Sequence, residues 1–269
     1  MSIPVRRLSA TVLCAALVAA AACGDDGSSA DAEADPAGDT TAQQLDGTIT
    51  VFAASSLTDA FTEAADVFEA DHPDATVELN LAASSSLREQ ILAGAPADVF
   101  ASANPANMAQ VAEAGEVAGE AEVIARNSLE IVVPADNPGG VEDLDDFADD
   151  SLLVGLCAAE VPCGEFGREV LGNAGVTPAP DTEEPDVRSL LTKVASGDLD
   201  AGIVYVTDVE SAGDEVEGIP IPDDVNVVAE YPVAALARAG EPEVAGAFVE
   251  FLLSAEGQAI LVSYGFAPA

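Results

Sequence analysis

The chain has 269 residues, and 8 Lys and Arg against 49 Asp and Glu give it a net charge of −41 at neutral pH. Phosphate backbones repel such a polyanion, which excludes nucleic acid as a natural partner. With 49% hydrophobic residues the chain can still bury ordinary cores, so the acids belong on a surface where salt screens their repulsion, and a high-salt habitat suits them.

At the N-terminus, Arg6 and Arg7 precede an apolar run over 11–22 that ends in small residues before Cys23. This pattern predicts a signal peptide over 1–22 and not a spanning helix. Ala20-Ala21-Ala22-Cys23-Gly24 resembles a lipobox, in which the cysteine is acylated and becomes the new N-terminus. Cleavage there removes two arginines and no acid, leaving 6 basic and 49 acidic residues and a net charge of −43. Residues 23–45, rich in Gly, Ser, Asp, Ala and Glu, have little to bury and read as a lipid-anchored, disordered tether. Beyond the tether about 225 residues remain, enough for one large domain or two lobes.

The folded part opens on Ile49-Thr50-Val51-Phe52-Ala53-Ala54-Ser55-Ser56, a β-branched run ending at two serines. Leu57, Phe61, Ala64 or Ala65, and Phe68 then recur at helical spacing, so the stretch predicts a strand, a tight turn and a helix starting at the serines. Ser56-x-x-Asp59 is also an ordinary capping pattern. The motif repeats, however: a strand over 76–81 leads into Ser84-Ser85-Ser86 and a helix over 86–93 that ends at Gly94. Helix N-termini carry unpaired amides and partial positive charge, so two serine-led starts suggest one shared anion pocket.

Further strands are predicted over 98–101, 128–134, 152–156 and 201–205, with a long extended stretch over 225–236. Helices are predicted over 105–114, 164–171, 187–195, 243–253 and 255–264. Strand alternating with helix implies mostly parallel sheets with right-handed crossovers. A lobe boundary is expected at the 128–134 strand, after which the composition turns acidic; 142–150 and 181–186 read as solvated surface. Asp98 and Asp208 read as cap or turn residues, and Arg188 as paired on the surface.

Of the four cysteines, Cys14 leaves with the signal and Cys23 would carry lipid, so Cys157 and Cys163 are expected to form a disulfide in an oxidising compartment. A metal site lacks partners, because the only histidine, His72, is distant and precedes Pro73. No Gly-x-Ser-x-Gly elbow, phosphate loop with lysine or nucleophile–histidine pair appears, so enzyme activity is not expected and no cofactor is called for.

Read in order, the opening segment with Thr58, the Ser84-Ser85-Ser86 cluster, Gly94-Ala95-Pro96-Ala97-Asp98-Val99-Phe100, Val161-Pro162-Cys163-Gly164, Asp186-Val187-Arg188, Gly202-Ile203-Val204-Tyr205 and the Tyr264-Gly265-Phe266 ending carry a resemblance. Over residues 46–269 the chain resembles the extracytoplasmic molybdate-binding proteins that serve ABC importers. The resemblance implies an α/β, two-lobed periplasmic-binding-protein-like (type II) fold, each lobe a mostly parallel sheet flanked by helices, with two crossing strands as hinge. Lobe one would comprise 46–126 plus 235–269, and lobe two 127–234.

It also implies a caged oxyanion, molybdate or tungstate, held by hydroxyls of Ser56, Ser84 and Tyr205 and by backbone amides of Ser56, Ser84, Cys163 and Val187. Molybdenum would enter only as the oxyanion, with no protein ligand to a free cation. Two registers stay open, Ser55 beside Ser56 and Ser85 beside Ser84; Ser56 is preferred because Leu57-Thr58 comes directly after it. Cys163 stands where relatives often have a small residue, which is harmless if only its amide is used. The expected partners are an importer permease and, through the N-terminal lipid, the membrane, with the chain a monomer. Another oxyanion such as sulfate or phosphate, a small organic acid, or a role as an acidic surface interaction lipoprotein are the competing readings.

Overall fold

The computed structural model describes residues 45–269. The expected signal peptide over 1–22, the expected acylation at Cys23 and all but the last residue of the expected tether lie outside the described residues.

The first half alternates as the apolar pattern requires. Strand β1 (Asp46–Ala54) passes through a 3-10 turn (Ser55–Leu57) into α1 (Thr58–Asp71). Leu57, Phe61, Ala64, Ala65 and Phe68 are all buried, so one apolar stripe faces the sheet. Strand β2 (Asp74–Ala82) leads into α2 (Ser84–Leu92), and β3 (Val99–Ala101) into α3 (Pro105–Glu113). Asn104 caps α3 through its side chain and Pro105 fills the first turn, where no amide partner is needed. Helix α2 begins at Ser84, two residues before the expected Ser86, so Ser84 itself sits in the first turn.

The long β4 (Glu122–Pro134) starts six residues before the expected 128. Arg126 and Asn127 break its apolar pattern in sequence, yet a partner strand supplies the ladder there. Beyond it lie β5 (Val154–Cys157), α4 (Pro162–Ala174), β6 (Thr182–Glu184), α5 (Val187–Ala195), β7 (Ala201–Tyr205), α6 (Val206–Ala212) and β8 (Val216–Pro220). The chain then returns through β9 (Val228–Ala235) to α7 (Pro242–Leu253) and α8 (Ala255–Ser263). Phe248 of α7 packs edge-on against Phe61 and Phe68 of α1, at centroid distances of 6.3 and 5.3 Å, so the C-terminus rejoins the first half.

The sheet order is β2-β1-β3-β9-β4-β7-β5-β6, with β8 also paired to β4. Pairing is parallel within β2-β1-β3 and within β7-β5-β6. It is antiparallel where β9 joins β3 and β4, and where β4 joins β7 and β8. Residues 122–128 of β4 pair with β9 and residues 129–134 with β7 and β8. The expected boundary therefore falls inside one continuous strand.

Two acidic segments differ from their reading as plain solvated surface. Within 142–150 the acids face outward, but Leu144 and Phe147 are buried between them in a 3-10 turn. Within 181–186, Thr182–Glu184 form β6, and Glu184 is buried because Lys193 Nζ (2.6 Å) and Thr182 Oγ1 (2.5 Å) donate to its carboxylate. Composition alone could not show that pairing.

Candidate oxyanion site

Six strand ends converge on one small cavity. Ala54, Ser55 and Ser56 lie at the end of β1; Ala83 and Ser84 come after β2; Ala103 comes after β3. From the other half, Val161, Pro162 and Cys163 come after β5, Asp186 and Val187 after β6, and Tyr205 ends β7. Ligands of open α/β sheets bind at such carboxyl ends. The cavity is small, and no Lys or Arg is among its lining residues.

Every sequence-predicted contact except one is on this wall. Ser56, Ser84, Cys163, Val187 and Tyr205 line it, as does the alternative Ser55; Ser85 is buried but lies off the wall. Ser56, Ser84, Cys163 and Val187 each stand at the first or second position of a helix or 3-10 turn. First-turn amides have no intrahelical acceptor. Three of these four starts also lack a side-chain cap, so their amides stay available to a ligand in the cavity. The fourth is capped by Asp186, whose carboxylate accepts from Ser189 N (2.9 Å) and Ser189 Oγ (3.0 Å). That leaves the Val187 amide uncovered and turns the Asp186 charge onto its own helix.

The hydroxyls are placed with equal economy. Ser84 Oγ accepts a hydrogen bond from Ala103 N–H (2.9 Å), which leaves its own proton for a second partner. The Tyr205 hydroxyl is fully buried and has no hydrogen-bond partner among the described residues. Burial, and then the neighbouring Tyr231 and Asp208, raise its pKa well above the ordinary phenol value, so it stays a neutral donor. An orphaned buried hydroxyl costs free energy that a ligand oxygen would recover.

Cys157 and Cys163 are joined, with Cα atoms 5.7 Å apart, as expected. The bridge pins the start of α4, and with it the Cys163 amide, to the end of β5. Reduction is expected to cost about 2 kcal/mol by loop closure, a fall in Tm of about 4–8 °C, and to weaken ligand binding. Melting curves and ligand titration with and without reductant check this; an unchanged affinity would detach the bridge from the site.

Arg188 departs from the surface pairing read from sequence. It bonds Asp59 of α1 on the exposed side, but its Nε also lies 3.4 Å from Oδ1 of Asp208, which is wholly buried. Asp208 accepts from Tyr205 N–H (3.2 Å), which is the expected cap role. Asp98 likewise holds a turn, accepting from Thr50 N–H (2.7 Å) and Gly240 N–H (2.5 Å). A second tie flanks the cavity where Asn104 donates to Glu165 Oε2 (3.0 Å) of α4.

Burial pushes Asp208 up to about 7 despite the pull of Arg188 and the Tyr205 N–H bond, with Asp59 and Asp186 adding to the rise. The folded chain thus keeps a proton that the unfolded chain has released, and stability falls as pH rises from about 4 to 7. Asp208→Asn is expected to flatten that fall by about 3 kcal/mol. Urea midpoints from pH 4 to 8 check it, and parallel profiles for both proteins would overturn it.

Among the described residues no group of three or more His, Cys, Asp or Glu could hold a metal ion. Sequence reasoning missed Tyr231 of β9, whose hydroxyl lies 3.0 Å from Ser56 Oγ. It also missed Asp186 and Ala103 as parts of the wall.

Comparison with known proteins agrees with this geometry. Residues 49–267 match the family model described as bacterial extracellular solute-binding protein. The molybdate-binding protein ModA of Mycobacterium tuberculosis H37Rv is 40% identical over 81% of this chain and 84% of its own length. The putative ABC transporter substrate-binding lipoprotein YvgL of Bacillus subtilis is 28% identical over 81% of this chain and 86% of its length. Among solved structures, the substrate-binding domain of a putative molybdenum ABC transporter from Clostridium difficile superposes with a TM-score of 0.62 at 27% identity, covering 82% of this chain and 99% of that one.

Proposed function

The chain belongs to the bacterial extracellular solute-binding proteins, and on that premise we propose that it captures molybdate, and tungstate as a close analogue, outside the membrane for an ABC importer. One observation carries the ligand class: four helix starts and a buried, partnerless tyrosine hydroxyl converge on a cavity without a basic side chain. Such a cavity presents mainly donors, because Asp186, the one carboxylate on its wall, accepts from Ser189 of its own helix. A tetrahedral dianion fits donors only, since each bond to a charged acceptor contributes roughly 1.5–3 kcal/mol and several together offset dehydration. The 40% identical relative, itself a molybdate-binding protein, supports the choice among oxyanions.

In this reading the two sheet halves are lobes, near 46–126 plus 235–269 and near 127–234, and β4 and β9 are the crossing strands. Contacts from both lobes bias an open–closed equilibrium toward closure, and the permease reads the closed form. The protein works as a monomer with no catalytic step and no cofactor. Acylation at Cys23 would hold it at the membrane, a reading supported by the small residues before that cysteine and by the lipoprotein relative.

Calorimetric titration of the soluble chain with molybdate, tungstate and sulfate tests the assignment. One molybdate per chain, with sulfate far weaker, is the expected result. Sulfate binding as tightly as molybdate would move the chain to another oxyanion, and silence with all three would end the oxyanion reading.

A further inference from the structure

Resting on the oxyanion reading and its two lobes, we infer that Arg188 is a positioning residue that clasps the closed form: held ready by its own lobe, it reaches across to Asp59 and slows the release of the bound anion. Two side-chain ties cross between the halves away from β4 and β9. Asn104 donates to Glu165 Oε2 (3.0 Å), and Arg188 Nη2 donates to Asp59 Oδ2. Both ties spring from residues beside the cage. Asn104 follows Ala103, and Glu165 stands two residues past Cys163; Asp59 stands three past Ser56, and Arg188 follows Val187. Any motion that parts the lobes must break both.

The two ties are built differently. Asn104 is also the cap of α3, accepting from Asn107 N–H (3.0 Å), so it serves the fold whether the lobes are together or apart. Arg188 is braced by α6. Its Nε lies 3.4 Å from Oδ1 of the wholly buried Asp208, and its Nη1 donates to Ser211 Oγ (3.0 Å). The other Asp208 oxygen accepts from Tyr205 N–H (3.2 Å), and Ser211 Oγ donates to the Asp208 carbonyl (2.9 Å). Asp208, Ser211 and Tyr205 all belong to the lobe that carries Arg188, so this bracing survives opening. The bond to Asp59 is the part that closing adds.

An ordinary surface ion pair contributes little, because two long side chains must be ordered to make it. Here the guanidinium is ordered in advance, with 28% of the Arg188 side chain exposed, and its partner is a short aspartate, 41% exposed. Closure therefore gains a charge-assisted bond at little further cost in side-chain freedom. One side chain then joins three parts of the cage: the Val187 amide beside it, the Tyr205 strand end through Asp208, and the Ser56 turn through Asp59. Because the bond forms after the anion has docked, it bears on release and not on encounter.

The test is the exchange of radiolabelled molybdate, with association and dissociation rates measured separately at pH 8, above the value of about 7 to which Asp208 is raised. Asp59→Asn removes the cross-lobe partner and leaves the Arg188–Asp208 pair in place. Its dissociation rate should rise about fivefold in dilute buffer, with association within about twofold of the unmodified rate. In 1 M NaCl, where screening acts over about 3 Å, the difference in dissociation should shrink below about twofold. Glu63→Gln is the control for charge alone: Glu63 lies on the same helix, and its partner, Tyr264, belongs to the same lobe. That variant should release molybdate at the unmodified rate. With Arg188→Gln already present, Asp59→Asn should change nothing further.

An Asp59→Asn protein that releases molybdate no faster than the unmodified one would overturn the clasp. So would an equal acceleration in Glu63→Gln, which would make the effect one of total charge, or a change confined to association. Arg188→Gln leaves Asp208 buried without its cation; if that variant fails to fold, the Asp59→Asn and Glu63→Gln rates decide the question by themselves. Failure of the unmodified protein to bind molybdate would instead bring down the function on which the clasp rests.

Discussion

Tyr205→Phe is expected to lower molybdate affinity by about 10- to 100-fold while leaving the ligand-free protein as stable as before or slightly more so. Among the described residues the buried hydroxyl has no partner at hydrogen-bond geometry, so in the ligand-free chain its removal relieves a desolvation cost and breaks no well-formed bond. In the complex the same removal deletes one hydrogen bond to a charged acceptor, worth roughly 1.5–3 kcal/mol. The ring is retained, and with it the edge contact to Tyr231, so packing should hold. Opposite signs on the two sides make the result diagnostic. Melting temperatures with and without molybdate, together with calorimetry, measure both; equal loss in the two states would make Tyr205 a core residue and remove it from the cage.

Much of this site was readable because its logic is local. A β-branched run, small residues and a helical apolar stripe succeed one another within residues 49–68, and the same order recurs over 76–93. Each repetition places a helix N-terminus at a strand end, and strand ends of a parallel sheet share one edge. The Cys157–Cys163 pairing was readable for a similar reason, being short in sequence and set in an exported chain. Register was the limit. Ser55 and Ser56 both reach the wall, and what distinguishes them is the hydrogen bond between Ser56 and Tyr231, a residue 175 positions away.

What stayed hidden depends on burial and on distant partners. Strand β6 is three residues of Thr and Glu, and nothing in that composition announces that Lys193 will allow Glu184 to be buried. Arg188 reads as one more surface cation among acids. In the fold it reaches past Asp59 to a carboxylate with no solvent contact, and the pKa near 7 of Asp208 results from that location. The length of β4 was hidden by Arg126 and Asn127, polar residues before the expected start that extend the strand because β9 pairs with them.

The second large effect is expected at Gly164, the third residue of α4. A Cβ there would lie 1.9 Å from the Ala158 carbonyl oxygen and 2.6 Å from that of Cys157, both backbone atoms that no rotamer change can move aside. The loop they belong to is closed by the Cys157–Cys163 bridge, so it cannot swing away. Helix α4 must then shift at its first turn, carrying the Cys163 amide and the Pro162 wall out of the cage. Gly164→Ala should therefore destabilise the fold by about 3 kcal/mol or more and weaken molybdate binding at least about 100-fold through misplaced donors. Gly172 of the same helix supplies the control. It has nothing within 4 Å of its would-be Cβ, so Gly172→Ala should stabilise by roughly 0.5–1 kcal/mol through helix propensity and leave affinity unchanged. Urea unfolding and molybdate titration of the two variants side by side decide the matter, and a Gly164→Ala protein that folds and binds normally would mean that the start of α4 does not shape the site.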